Sequence, residues 1–242
     1  MAYEKNLYLI QNIAEADFGC EGRPESEDDR VSVQLVGSMG DAFWIDQSDN
    51  FLNSNRIIER DVVRLINSDK KYKYTLERKF HLREVIKEDF EQALKIEQTC
   101  FPPNEACTAK AIYERIEKAK DTFLVAEDLK NECIFGFING IVTDEEKFRD
   151  EFFSDISLHY SNGKNVMICG VDVLPGYRNL GIASLMMQEY ITVCKRNNRT
   201  SLILTNHEKL TGFYKKLGYE DLGLADSSWG GETWHEMKLK II

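Results

Sequence analysis

The chain has 242 residues, of which 43% are hydrophobic and 30% are charged, and its formal net charge at pH 7 is −10. This length suits one large domain or two modest ones, and the hydrophobic content is sufficient for a buried core. The acidic balance argues against non-specific binding to nucleic acid or to an anionic membrane, and it mildly favours a cationic ligand. An acidic protein of the cytoplasm explains the same charge without any ligand.

Targeting and metal-binding patterns are not visible in the sequence. No run of about 18 apolar residues could span a bilayer, and the N-terminal residues lack the core of a signal peptide. The six cysteines form no Cys-x-x-Cys pair and are expected to be reduced core residues, while the four histidines lack the spacing of metal ligands. We therefore expect a cytoplasmic protein that binds no metal, no membrane and no nucleic acid.

The first 75 residues predict a small α+β unit. Residues 3–17 carry apolar side chains at helical spacing and predict a short helix. Short apolar or alternating runs predict strands at 31–35, 42–45 and 61–66. The polar stretch 67–73 is the predicted linker, so the domains are expected at 1–75 and 76–242.

From Tyr74 onwards strands alternate with helices, which predicts an α/β sheet domain. The predicted strands are 80–84, 123–126, 134–142, 165–173, 201–205, 219–224 and 232–241. The predicted helices are 89–99, 109–118, 208–217 and one that begins near Ile182. A charged, partly apolar insertion at 147–159 has some helical character.

The stretch from Val171 to Ala183 carries the strongest functional signal. An apolar strand ends, Pro-Gly turns the chain, and a helix begins at Gly181. The first N–H groups of a helix are unpaired, and the helix dipole adds positive charge there, so the position suits phosphate. Gly181 and Ala183 allow close approach to the backbone, and Arg178 can pair with a phosphate oxygen. An ordinary strand–turn–helix is the alternative interpretation.

This segment resembles the acetyl-CoA pyrophosphate loop of the GNAT acyltransferases, in which Arg or Gln precedes x-x-Gly-x-Gly/Ala. Residues 212–219, Gly-Phe-Tyr-Lys-Lys-Leu-Gly-Tyr, match the second signature of that family in the expected order and spacing. The resemblance covers about residues 76–242 and implies an α/β (α+β) fold with a central mixed, mostly antiparallel sheet. The first 75 residues would be a small N-terminal α+β extension of unknown role. The resemblance also implies transfer of an acetyl group from acetyl-CoA, as co-substrate, to a primary amine.

Three further stretches, 96–103, 123–128 and 229–237, resemble arylalkylamine N-acetyltransferases and their bacterial relatives. This resemblance implies a small apolar or aromatic amine acceptor that attacks the thioester directly in a ternary complex. By the same resemblance, the acceptor pocket would be lined by Phe101, Pro102 and Trp229. A homodimer is compatible with the sequence.

The resemblance also implies which residues contact acetyl-CoA. They are Val171, Asp172 and Val173 beside the pantetheine arm, together with Arg178, Asn179, Leu180, Gly181, Ile182, Ala183, Ser184, Asn206 and Tyr214. Gly170 suits the backbone distortion at which this strand separates from the next one, although a packing glycine explains it equally well. Tyr214 matches the tyrosine that serves as general acid toward the departing thiolate, because a phenol is protonated at neutral pH. Core packing is the alternative for Tyr214.

The general base is the point at which the resemblance fails. The two positions that hold histidines in animal arylalkylamine enzymes are Met167 and Cys169 here. His207, after the fifth strand, and Glu97, on the first helix, are the catalytic candidates, and His235 is a further histidine near the acceptor side. A surface loop position for His207 and a solvated helix face for Glu97 are the alternatives. A chain of water molecules without a single base remains possible.

Two other functions compete with acetylation of a small amine. Acetylation of a protein N-terminus or lysine needs an open peptide groove, which an insertion such as 143–163 would tend to cover. A non-catalytic acetyl-CoA sensor, whose N-terminal part binds a partner protein, is consistent with the missing histidines.

Overall fold

The computed structural model describes residues 6–15, 30–68 and 71–242. Its strands are β1 (Leu7–Glu15), β2 (Arg30–Val36), β3 (Ala42–Ser48), β4 (Asp61–Asn67), β5 (Tyr74–Glu84), β6 (Phe123–Asp128), β7 (Cys133–Thr143), β8 (Asn165–Val173), β9 (Ser201–Asn206), β10 (Glu220–Leu224) and β11 (His235–Lys240). Its α-helices are α1 (Asp49–Ser54), α2 (Phe90–Cys100), α3 (Ala109–Lys118), α4 (Ile182–Arg196) and α5 (Glu208–Lys216).

The strands form one sheet of 11 strands in the order β10-β11-β9-β8-β7-β6-β5-β4-β1-β2-β3. In the described ranges, neighbouring strands are antiparallel except β8 and β9, which are parallel. The crossover between these two strands is α4, as expected for parallel neighbours, which need a long connection. The mixed, mostly antiparallel sheet and the α+β class predicted from the sequence are confirmed.

Two hydrophobic cores lie on opposite faces of the sheet, because successive residues of a strand point to opposite sides. One core joins the sheet to α4 and α5 and includes Leu185, Met186 and Tyr190. The other joins it to α2 and α3 and includes Ile96 and Ile112. A third, smaller core lies among the N-terminal strands and α1.

The helix predicted for residues 3–17 is wrong. The described part of this segment is the strand β1, which pairs with β2 on one side and with β4 on the other. The register with β2 shifts between Ile10 and Asn12. This bulge interrupts the strand alternation, so the apolar residues fall at spacings that imitate a helix.

The N-terminal strands continue the same sheet, since β4 pairs with β5 over seven registered positions from Asp61↔His81 to Asn67↔Tyr74. The predicted boundary at residue 76 lies inside β5. The predicted linker 67–73 joins β4 to β5 as a short connection, of which residues 69 and 70 lie outside the described residues. Arg60 also contacts Glu189 of α4, with 3.0 Å between Nε and Oε1.

Most elements after residue 74 match the sequence prediction within a few residues. The insertion contains two short 3₁₀ helices, Asp150–Phe153 and Ile156–Leu158. α1, whose N-terminus is capped by the side chain of Ser48, was not predicted. The longest helix is α4 with 15 residues, and none in the described ranges has the length and apolar character needed to span a bilayer.

Candidate active site

A cleft opens where β8 and β9 separate. The two strands pair only from Asn165↔Ser201 to Ile168↔Leu204, although both continue further. At the same level the register of β8 with β7 shifts, because Asn139 faces Gly170 whereas Gly140 faces Ile168. This bulge on β8 turns its last residues away from β9. The predicted distortion at Gly170 is therefore present.

The cleft has a volume of about 100 Å³ and three kinds of wall. Strand residues from β8 and β9 form its floor, α2 and α5 flank it, and aromatic side chains close one end. Its lining includes Glu97, Phe101, Glu105, Phe153, Ile168, Cys169, Gly170, Val171, Leu204, Thr205, Asn206, His207, Leu210, Tyr214, Trp229 and Trp234.

The predicted phosphate loop follows β8 and leads into α4. Asn179 and Gly181 both have positive φ, at 64° and 78°, and α4 begins at Ile182. Left-handed backbone at Gly181 is accessible to glycine without strain. Arg178 points back to β8, where its Nε donates a 2.7 Å hydrogen bond to the carbonyl oxygen of Val173. In this position Arg178 fixes the end of β8 as well as bordering the loop.

A second cavity, of about 350 Å³, lies between the phosphate loop and the N-terminal strands. Its lining is mostly polar and comes from both parts of the chain: Asn6, Leu7, Tyr8, Gly37, Ser38, Asp41, Asn179, Leu180 and Gly181. The N-terminal extension thus borders the loop that the sequence assigns to pyrophosphate, a contact that no motif in residues 1–75 predicted.

Tyr214 lies on α5, is buried, and lines the cleft. Burial, and secondarily the charge of Asp172, raise the pKa of its phenol above the ordinary value. The hydroxyl is therefore protonated at neutral pH, which is the form that a proton donor needs. Tyr219 is buried beside it, with ring centroids 5.6 Å apart, as a core residue.

Glu97 is almost fully buried, with 1% of its surface exposed, and it lines the cleft. The alternative of a solvated helix face is therefore wrong. Its Oε1 accepts a 2.7 Å hydrogen bond from the backbone N–H of Cys107. Burial raises the pKa of this carboxyl, which the Cys107 N–H and the Arg115 guanidinium partly oppose. A carboxylate with a raised pKa at a cleft can act as a base near neutral pH.

His207 faces the cleft from the start of α5 and pairs with a carboxylate that the sequence did not reveal. Its Nε2 lies 3.1 Å from Oε2 of Glu105, and its ring stacks on that of Trp234 at 4.3 Å. His207 is not a surface loop residue. Glu105 follows the Pro-Pro turn after α2, and no motif or spacing connects it with a histidine 102 positions later. His235 instead pairs with Asp221 at 3.2 Å, outside the cleft lining.

Aromatic side chains close the cleft beside His207 and Glu105. Phe153 of the insertion packs on Trp229 with ring centroids 4.9 Å apart. Trp229 Nε1 donates to the carbonyl oxygen of Glu105 at 2.7 Å, and Trp234 Nε1 donates to the carbonyl oxygen of Trp229 at 2.9 Å. Phe101 lies in the lining as predicted, whereas Pro102 is exposed beside it. Phe153 was not predicted.

The residues at the two histidine positions of the arylalkylamine enzymes provide no imidazole in this chain. Met167 is fully buried in the core under α2 and α3. Cys169 touches the cleft, but burial raises the pKa of its thiol. A thiol held neutral in this way is a poor nucleophile.

The gap between the parallel strands, the loop that leads into the start of α4 and the buried tyrosine at the gap are the arrangement that the resemblance to acyl-CoA-dependent transferases predicts. Residues 90–219, more than half of the chain, match the sequence model of the acetyltransferase (GNAT) family. The chain belongs to this family, and it is an acyl-CoA-dependent acetyltransferase. No curated protein sequence matches it significantly.

Solved structures support the same fold. The loading GNATL domain of CurA from Lyngbya majuscula is 18% identical with a TM-score of 0.58, and the match covers 67% of this chain and 98% of that domain. The GphF GNAT-like decarboxylase in complex with isobutyryl-CoA is 13% identical with a TM-score of 0.58, and the match covers 67% of this chain and 100% of that chain. Arabidopsis thaliana Naa50 in complex with the bisubstrate analogue CoA-Ac-MVNAL is 20% identical with a TM-score of 0.52, and the match covers 67% of this chain and 99% of that chain. At these identities the likeness concerns the fold.

Proposed function

We propose that the protein transfers the acetyl group of acetyl-CoA to the primary amine of a small apolar or aromatic acceptor, by direct attack in a ternary complex. The observation that carries this proposal is the gap between β8 and β9, whose cleft is lined by Tyr214 together with acidic and aromatic side chains. A thioester in the gap would have the phenol near its sulfur and the pocket near its carbonyl carbon.

The acetyl-CoA site follows from the backbone of β8 and the loop after it. The last residues of β8 have no partner strand on the β9 side, so their backbone groups can pair with the amides of the pantetheine arm, apart from the Val173 carbonyl oxygen that Arg178 occupies. The start of α4, with Gly181 in left-handed backbone, would bind the pyrophosphate. The polar cavity between this loop and Ser38 gives room for the nucleotide end.

The acceptor site is the pocket of Phe101, Phe153, Trp229 and Trp234. Aromatic faces attract both apolar groups and ammonium ions. Glu97 and Glu105 are acidic side chains in the same lining, and they could pair with the ammonium group of an acceptor. This combination suits a small amine with an apolar body, and it agrees with the sequence resemblance to arylalkylamine N-acetyltransferases.

A peptide acceptor is the alternative within the family, and the insertion argues against it. Asp150 accepts hydrogen bonds from Ser227 and Ser228, and Glu236 accepts one of 2.9 Å from the N–H of Phe148. These contacts hold the insertion over the acceptor end of the cleft, where an extended peptide would need open space.

The test is a panel of arylalkylamines, aliphatic amines and peptides with free N-termini, incubated with acetyl-CoA while free-thiol release is measured. We expect turnover with arylalkylamines and little with peptides. Turnover with peptides alone would overturn the proposed acceptor class. Acetyl-CoA binding by calorimetry without turnover of any amine would favour the sensor function.

A further inference from the structure

Arg115 is a charged residue on the buried face of α3. That face also carries Ala111, Ile112 and Ile116, and only 2% of Arg115 is exposed. Removing a guanidinium from water is costly unless its N–H groups find acceptors, and an apolar side chain at such a position is often at least as stabilising. Arg115 lies outside the cleft lining, so any effect on the acceptor passes through the groups that it binds.

Both terminal nitrogens of Arg115 donate hydrogen bonds. Nη2 donates to the carbonyl oxygens of Phe153 and Phe152, at 2.5 and 3.3 Å. Nη1 donates to Oδ1 of Asn139 on β7 at 3.0 Å and to Sγ of Cys107 at 3.4 Å. The two carbonyl groups end a short 3₁₀ helix of the insertion, where carbonyls lack partners within the helix. One side chain thus joins α3 and β7 to the insertion.

The thiol of Cys169 adds to the same anchor. Its Sγ lies 3.4 Å from the carbonyl oxygen of Phe152 and 3.5 Å from that of Met167, so the two oxygens share the thiol proton. A thiol is a weak donor, and the guanidinium of Arg115 is the stronger part of the anchor. One of the positions that hold histidine in the arylalkylamine enzymes therefore has a donor toward the insertion in this chain.

The anchored residue Phe153 is a wall of the acceptor pocket. Its ring packs against Trp229 and against Phe148, with centroids 4.9 and 5.0 Å apart. Phe148 also contacts Phe152, at 5.6 Å, and all three phenylalanines are buried. An acceptor that needs the volume of the Phe153 ring would have to displace this packed cluster together with the backbone that Arg115 holds.

The size of the cleft indicates which acceptors would need that volume. The cleft has a volume of about 100 Å³. An apolar cavity of ~150 Å³ accommodates one benzene ring. An acceptor with two linked rings would therefore need the space that Phe153 occupies.

We infer that Arg115 is a specificity-determining positioning residue, which holds the backbone of Phe152 and Phe153 so that the Phe153 ring excludes amines larger than a single-ring arylalkylamine. The inference rests on the proposed acetylation of a small amine. A purely structural role for Arg115 predicts something different: its replacement would lower stability without changing which amine is preferred. The preference between two amines is therefore the decisive measurement.

Arg199 is a matched control on the same insertion. It is also buried, with 7% exposed, and its Nη1 donates to the carbonyl oxygens of Ser161 and Gly163 at 2.9 and 2.8 Å. These two residues lie outside the cleft lining. Arg199→Lys therefore disturbs the same kind of anchor without acting on the pocket wall.

The test measures kcat/KM of the full chain for a phenylalkyl amine and for a biphenylalkyl amine with the same linker, at saturating acetyl-CoA. The wild type should prefer the single-ring amine. Phe153→Ala should shift the ratio of the two kcat/KM values toward the biphenyl amine by ~10-fold or more. Arg115→Lys should shift it in the same direction by ~3-fold or more, because an ammonium group lacks the planar fork that holds both carbonyls. Arg199→Lys should leave the ratio unchanged.

The double variant Phe153→Ala/Arg115→Lys tests whether Arg115 acts through the ring. Once the ring is absent, Arg115→Lys should cause no further shift, so the two effects should not add. Arg115→Met removes the anchor completely and should shift the ratio more than Arg115→Lys does. If Arg115→Met does not fold, Arg115→Lys carries the test, because it retains the buried charge.

The fluorescence of Trp229 reports the pocket wall without turnover. A Trp44→Phe background removes the exposed tryptophan, which leaves Trp229 and Trp234 of the three in the chain. In this background the emission of Arg115→Lys should change in the same direction as that of Phe153→Ala, and Arg199→Lys should retain the emission of the parent.

An unchanged preference in Phe153→Ala or in Arg115→Lys, or additive effects in the double variant, would overturn the inference. A wild-type protein that acetylates no amine would instead remove the proposed function. The fluorescence comparison would then still decide whether Arg115 holds Phe153 against Trp229, so the two failures are distinguishable.

Discussion

Ser38, in the turn between β2 and β3, lies directly against Gly181 at the start of α4. A Cβ built on Gly181 would be 3.0 Å from the Cβ of Ser38, and the φ of Gly181 is 78°. Space and backbone conformation thus both require glycine at the position that the sequence assigns to the pyrophosphate. The N-terminal extension forms one wall of this loop.

Gly181→Val is predicted to weaken acetyl-CoA binding, because a branched side chain would meet Ser38 and force the loop out of its left-handed conformation. We expect affinity to fall by ~10-fold or more, equivalent to ~1.4 kcal/mol, measured by calorimetry. Gly212→Ala is the matched control, since Gly212 lies in α5 with no neighbour near its Cβ position. Unchanged affinity in a folded Gly181→Val protein would contradict the phosphate site.

A shortened chain that starts at Lys73 tests the role of the N-terminal extension. Gly170, Gly181 and Tyr214 all remain, so we predict that it still binds acetyl-CoA when folded. Its melting temperature should fall, because β5 loses its partner β4 and the core loses Leu7, Leu9 and Val62. Thermal unfolding measures the melting temperature and calorimetry measures acetyl-CoA binding, each compared with the full chain. A folded shortened chain that binds no acetyl-CoA would make the extension an essential part of the site.

The sequence predicts the second part of this fold well because its signals are local. The loop before α4 and the motif around Tyr214 each lie within about a dozen residues, and strand and helix periodicities are regular there. β1 was misassigned because a bulge breaks its alternation. Glu105 was missed because its partner His207 is distant in sequence. Asp172 was placed beside the pantetheine arm, but the burial of its side chain depends on α2, which only the tertiary structure brings near.

His207→Ala tests whether the His207–Glu105 pair is the base that accepts the ammonium proton. If Glu97 accepts the ammonium proton, we predict that the variant loses less than ~10-fold in kcat and that the rate continues to rise with pH as more acceptor becomes neutral. KM for the amine should increase, because His207 packs on Trp234 in the pocket wall. A rate plateau near neutral pH that disappears in His207→Ala, and equally in Glu105→Gln, would make this pair the base.

Tyr214→Phe retains the ring and its packing against Phe213 and Tyr219 but removes the proton donor. We predict a loss of ~10²–10⁴-fold in kcat with near-normal acetyl-CoA affinity. Because burial raises the pKa of this phenol, its ionisation should cause no decline in rate up to pH ~10. Tyr219→Phe is the control, since Tyr219 lies outside the cleft lining. Full kcat in Tyr214→Phe would show that the thiolate leaves unassisted.

The raised pKa of Asp172 predicts how its replacement changes stability with pH. Burial, and then Glu97, raise the pKa of Asp172 in the folded protein, so the native state holds this proton more tightly than the unfolded chain does. The resulting stabilisation is fully present below the unfolded pKa of ~3.9 and is lost as the pH rises through the folded pKa. Asparagine does not titrate. The free energy of unfolding of Asp172→Asn, relative to that of the wild type, should therefore increase as the pH rises from ~4 towards neutrality.

Urea unfolding at several pH values measures this difference, and Asp221→Asn is a control of opposite sign. The N–H of Gly223, then Lys215 and His235, lower the pKa of Asp221 to about 2. The stabilisation by Asp221 is present above its unfolded pKa of ~3.9 and is lost only as the pH falls through its folded pKa. Asp221→Asn should therefore differ from the wild type by a nearly constant amount above pH ~5. A constant difference for Asp172→Asn as well would mean that Asp172 is ionised in the folded protein.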